Sequence, residues 1–144
     1  MVEIEIEDPA WEDALPNVET LVEAAAYAAL PPGEMGDVVI LLTDDASVKD
    51  LNIRFRSKYT PTNVLSFPTP AGQDSLGDIA LAYGVCTREA AEQAKPLAHH
   101  LQHLVAHGVL HLLGYDHQED DEAEVMEALE TQILGRLGIP DPYA

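Results

Sequence analysis

All six histidines of this 144-residue chain fall between positions 99 and 117. Three of them, in His107-Gly-Val-Leu-His111-Leu-Leu-Gly114-Tyr-Asp-His117, have the spacing of a three-histidine metal site. Residues four apart on a helix share a face, so His107 and His111 would stack one turn apart. Gly114 stands where a helix commonly ends through a left-handed residue, which glycine adopts without strain. The chain can then turn back and bring His117 to the same point. Three neutral imidazoles fill three positions of a tetrahedral Zn2+ and leave the fourth open, the layout of a catalytic rather than a structural site. Leu110, Leu112 and Leu113 would bury this helix, which argues against an idle, solvated histidine face. His99 and His103 continue the same four-residue ladder, so spacing alone leaves open which pair binds. The remaining histidines could support the site, touch substrate or lie on the surface.

The same histidine and glycine spacing occurs in the zinc peptidases called metzincins, where a glutamate after the first histidine is the general base. Here that position is Gly108, which cannot abstract a proton. The metal face can serve phosphodiester cleavage instead. Zinc polarises a phosphoryl oxygen and acidifies a water, and a nearby arginine would stabilise the extra transition-state charge.

Charge bounds the choice of substrate. The formal net charge is -19, which repels nucleic acid and anionic membranes in general. Yet four of the seven basic residues, Lys49, Arg54, Arg56 and Lys58, fall within ten positions, and none precedes Lys49. They form a local positive island, either a solvated helix face or a substrate contact. No apolar run approaches the ~20 residues of a membrane helix. The acidic start MVEIEIEDPAWED lacks the features of a signal peptide, so a cytoplasmic location is expected. The single cysteine, Cys86, rules out an internal disulfide and reads as a small apolar filler at a strand end.

These residues need elements to hold them. Val2, Ile4 and Ile6 alternate with glutamates as a half-buried strand. A helix is expected from near Asn17 to Leu30, stopped by Pro31-Pro32-Gly33. Val38 to Leu42 reads as a central strand buried on both faces. Asp44 or Asp45 caps the next helix, whose apolar stripe Val48, Leu51, Phe55 includes one polar member, Asn52. Strands follow at about 63–67 and 78–83. Helical sequence then runs from about Thr87 through Leu113, with Pro96 either kinking one helix or starting a second. A last helix, roughly Glu119 to Leu137, places Val125, Met126, Leu129 and Ile133 inward, and its acidic start favours the helix dipole. The expectation is one α+β (mixed α/β) domain over residues 1–144. It would have an approximately four-stranded mixed sheet, about five helices and the metal-binding helix at the centre.

The stretch from His107 to His117 resembles the signature of the YbeY family, the bacterial rRNA maturation factors. Three further blocks are similar to that family in the same order: Leu51-Asn-Ile-Arg-Phe-Arg56-Ser-Lys58, Pro61-Thr-Asn63-Val-Leu-Ser-Phe-Pro68 and Leu76-Gly-Asp78-Ile79. The resemblance spans roughly residues 37–130. It implies a single-strand-specific metallo-endoribonuclease acting in 16S rRNA 3′-end maturation and late ribosome quality control. It also implies one zinc on His107, His111 and His117, and a functional arginine at Arg56. Lys49, Arg54 and Lys58 are then candidate contacts to single-stranded rRNA, and Asp78 and Asp116 are candidate supporting or base groups. Asn63 stands where the family often has Asp. The expected partners are the small-subunit ribosomal particle or its assembly proteins. The competing readings are a metzincin-like peptidase and a non-enzymatic ribosome assembly factor with a structural zinc.

Overall fold

The computed structural model describes residues 1–56, 62–69, 75–115 and 119–143, with only the backbone of Phe55 and Arg56. The elements run β1 (Val2–Ile6), α1 (Ala10–Ala14), α2 (Val18–Ala29), β2 (Asp37–Thr43), α3 (Asp45–Arg56), β3 (Val64–Pro68), β4 (Ser75–Ala82), α4 (Tyr83–Glu92), α5 (Leu97–Leu112) and α6 (Asp120–Arg136). The four strands form one mixed sheet in the order β1-β2-β4-β3. β1, β2 and β4 are parallel, and β3 runs antiparallel along the edge of β4. The expected α+β fold is what the chain adopts, with six helices among the described residues where about five were expected. The extra one is the short α1, which brings the fully buried Trp11 against the core and lets its indole N–H donate to the Thr43 carbonyl at 3.0 Å.

Strand alternation divides the interior in two. Ile40, Leu42, Ile79 and Leu81 point to the face covered by α2 and α5, where Val22, Leu101, Val105 and Val109 complete the main core. Ala80 and Ala82 point the other way, onto α3 and its buried Val48, with Leu65 of β3. Asn52 is buried on α3 within the stripe of Val48 and Leu51. β2 is therefore less enclosed than expected. Val38, Ile40 and Leu42 are fully buried, whereas Val39 and Leu41, on the face of the smaller cluster around Val48, are only half-buried.

Two local expectations change, and a third choice is resolved. Cys86 is a buried filler, but it lies in the first turn of α4, which begins at Tyr83. Val125 on α6 is exposed, and the inward positions belong to Met126, Glu130, Ile133 and Leu134. Pro96 starts a second helix instead of kinking one. Ala94 takes a left-handed φ of 54° and Pro96 caps α5. α5 is central: it packs on α2, α4, α6, β3 and β4. No helix among the described residues is long and apolar enough to cross a membrane.

Candidate metal centre

α5 lies over β3 and β4, and two glycine-dependent features fix how it sits. Gly108 is buried where the helix crosses β4. A Cβ there would lie 3.0 Å from both Cγ2 and Cδ1 of Ile79, and Ser66 Oγ of β3 donates to the Gly108 carbonyl at 3.3 Å. Gly114 ends the helix with φ of 102°. Tyr115 N–H donates to the Leu110 carbonyl and Gly114 N–H to the His111 carbonyl, each at 3.0 Å, which is a Schellman close. The chain leaves α5 in the direction that the positive φ imposes.

One face of α5 carries His100, His103, His107 and His111. His107 and His111 converge: their Nε2 atoms are 3.1 Å apart and their rings meet edge to face at 4.6 Å. Two ligands held about 2.0–2.1 Å from a tetrahedral zinc would be separated by roughly 3.3 Å. Two imidazole nitrogens this close require a proton or a cation between them. The pair therefore fits a shared metal. Among the described residues no cluster of three or more metal-binding side chains is assembled. The third expected ligand, His117, lies outside them, as does Asp116.

Glu130 reaches this pair from α6. It is completely buried, and its carboxylate accepts a hydrogen bond from His107 Nδ1 and another from the Tyr143 hydroxyl. A third comes from His103 Nε2 at 3.2 Å. Burial alone would raise the Glu130 pKa, but these three donors outweigh it and hold the group at about 2. A carboxylate only accepts, so the proton of neutral His107 sits on Nδ1 and its Nε2 lone pair faces His111. Tyr143 is shifted in the opposite sense, since burial and the adjacent carboxylate both push its phenol pKa up.

A second carboxylate lies further along the face. Glu89 Oε1 is 2.9 Å from His100 Nε2 and accepts from Asn63 Nδ2 at 2.9 Å. Asn63 Oδ1 in turn accepts from Val64 N–H at 2.7 Å. An aspartate at position 63 would set two like charges together; the amide supplies a donor instead. A groove of about 340 Å³ runs along these groups, lined by Asn63, Glu89, Lys95, His103, His107 and Tyr143.

The other residues singled out in the sequence are dispersed. His99 is half-buried beside Lys95, Pro96 and Ile139 and does not line the groove with His107, whereas His103 joins the site through Glu130. Lys49 is exposed on α3, and Arg54 pairs with Asp50 at 3.1 Å one turn away. Arg56 is the last residue of α3, its side chain beyond the described atoms, and Lys58 lies outside the described residues. Asp78 is exposed on β4, on the α3 face of the sheet, while the adjacent Gly77 and Ile79 point towards α5. The basic helix and the histidine helix thus cover opposite faces, separated by the edge strand β3. Glu130 and Tyr143 were missed by sequence reasoning. The available signal was a glutamate at an inward position of α6, one residue beyond Leu129.

A family model described as Endoribonuclease YbeY matches residues 3–138. Two proteins named Endoribonuclease YbeY illustrate the similarity. That of Maricaulis maris is 53% identical, over 99% of this chain and 91% of its own length. That of a Bradyrhizobium strain, BTAi1, is 50% identical over the same shares. The solution structure of TM1509 from Thermotoga maritima superposes with a TM-score of 0.60 at 25% identity, covering 95% of this chain and 91% of that one.

Proposed function

Because the chain belongs to the YbeY family of endoribonucleases it cleaves RNA, and we propose that it does so with one zinc ion on His107, His111 and His117 and with Arg56 against the reacting phosphate. The observation that supports this best is the convergence of the His107 and His111 Nε2 atoms at 3.1 Å, with the other His107 nitrogen committed to Glu130. When bound, zinc supplies Lewis-acid chemistry suited to phosphodiester hydrolysis. The three imidazoles would hold it and would leave one position for the reacting groups. Arg56 is the last residue of α3, and its planar guanidinium would suit two phosphoryl oxygens. Lys49, Arg54 and Lys58 contribute weaker attraction for the strand. Asp116, one residue before His117, supports that ligand or takes up a proton.

The rival readings are disfavoured for physical reasons. A peptidase of the matching spacing needs a glutamate at position 108, where even a Cβ meets Ile79. A structural zinc calls for a fourth protein ligand. Cys86 is fully buried in α4, and its thiol pKa is pushed up mainly by that burial, which makes it a poor ligand. The biological substrate under this reading is single-stranded rRNA of the small subunit. It is cut in the cytoplasm during 16S 3′-end maturation and late quality control, on a particle or with assembly proteins that aid recognition.

A labelled single-stranded RNA and a labelled peptide, each incubated with and without chelator, test the reading. RNA cleavage lost on chelation and restored by zinc is expected. Alanine at 107, 111 or 117 should remove about one zinc per chain, whereas His99→Ala should keep it. Full zinc occupancy in all three variants overturns the site.

A further inference from the structure

We propose that Glu130 is a positioning residue for the metal centre, and that Tyr143 and His103 hold it in place, so that the segment 141–143 is part of the site's support. This rests on the zinc reading of His107 and His111. Glu130 occupies a position in α6 whose neighbours Met126, Ile133 and Leu134 are buried and apolar. A completely buried carboxylate is costly unless its lone pairs are filled. Here they are filled by His107 Nδ1, His103 Nε2 and the Tyr143 hydroxyl. The first of these sets the tautomer and plane of His107 and turns its Nε2 towards His111, the relation by which a carboxylate orients a ligating histidine. The other two keep the carboxylate from rotating away.

Tyr143 is itself pinned. Asp141 Oδ1 accepts from the Tyr143 backbone N–H at 2.8 Å and from Thr131 Oγ1 of α6 at 3.2 Å. The Lys95 ammonium donates to the Pro142 carbonyl at 3.3 Å. The tyrosine ring stands edge-on to His103 at 5.6 Å. The path from segment 141–143 through Tyr143 and Glu130 to His107 is continuous.

Two measurements on the full chain test this. In the metal-free protein, nitrogen-15 spectra should show the neutral form of His107 protonated on Nδ1. Glu130→Gln can donate as well as accept, so the Nε2-protonated form should grow. Chelator competition should show a zinc Kd raised roughly 10–100-fold in Glu130→Gln, and about fivefold in Tyr143→Phe, which loses one hydrogen bond but keeps the ring. Circular dichroism checks that each variant is folded. If Glu130→Gln does not fold, Tyr143→Phe carries the test alone. An unchanged tautomer and unchanged zinc Kd in the folded variants overturn the proposal. Failure of the wild-type protein to bind zinc would instead overturn the metal reading, and the tautomer would still report on Glu130.

Discussion

Arg56 and Gly108 carry the most specific expectations at the scale of single residues. If Arg56 stabilises charge on the phosphate, Arg56→Ala should lower RNA cleavage by ~10²–10³ while leaving the melting temperature in place. Arg56→Lys should restore only part of the rate, since a point charge lacks the planar fork. Cleavage by Arg56→Ala at the unaltered rate removes the arginine from the mechanism. At Gly108 two effects oppose each other. Alanine in a helix interior gains about 1 kcal/mol over glycine. Overpacking a close contact costs about 1–3 kcal/mol. Ile79 is fully buried and presents two carbons at 3.0 Å, so it cannot retreat and the loss should win. Urea unfolding should find Gly108→Ala less stable, with Ile79→Val recovering part of the difference through their contact. A stabilised Gly108→Ala would mean that α5 can lift from the sheet.

At the scale of elements, the helix ends decide where side chains arrive. α3 begins at an Asp44 cap, whose Oδ1 accepts from the Ser47 backbone N–H at 2.7 Å. That bond holds the Asp44 carboxyl below its ordinary pKa of 3.8. A group with a depressed folded pKa favours the folded state above its unfolded pKa, and loses that contribution as pH falls through the folded one. Asp44→Ala should therefore cost about 1 kcal/mol near neutral pH, the usual worth of an N-cap. The gap from wild type should narrow as pH drops below the ordinary aspartate range, while Asp44→Asn keeps a cap throughout. Denaturant titrations across pH check this; a gap that widens in acid contradicts it. α5 depends on its C-terminal glycine in the same way, since Gly114 closes the helix with a φ of 102°.

For the whole molecule the governing quantity is charge. A net charge of -19 opposes RNA in general, and the basic island is the local counterweight. One member of that island, Arg54, is already paired with Asp50. Few phosphates can therefore be neutralised. Affinity for a free single strand should fall with salt at a logarithmic slope of only a few, against about 0.7 per phosphate contact. Affinity for the immature small subunit should exceed that for naked rRNA fragments. A salt series on both ligands decides the matter: tight, steeply salt-dependent binding to the naked fragment, equal to that for the particle, refutes partner-assisted recognition.

The sequence by itself determined the local geometry that backbone chemistry enforces. The His107/His111 spacing and the Gly114 terminus follow from helix pitch and glycine's conformational freedom, and the start of α3 was narrowed to an Asp44 or Asp45 cap. The alternating β1 and the apolar β2 follow from strand periodicity. The resemblance of ordered blocks reached the family. Contacts between residues distant in the chain were set only by tertiary structure. Glu130 meets His107 across 23 positions and Tyr143 meets His103 across 40. Periodicity on α6 favoured Val125, yet the observed packing buries Glu130 and exposes Val125. A pattern rule ranks side chains by polarity, whereas the fold accepts a buried carboxylate once three donors converge on it. The same limit applies to the basic island and to Asp78. Their types suggested a site, but only the sheet shows that α3 and α5 cover opposite faces. Which face a residue joins is decided by strand order and parity, and neither is written in the local sequence.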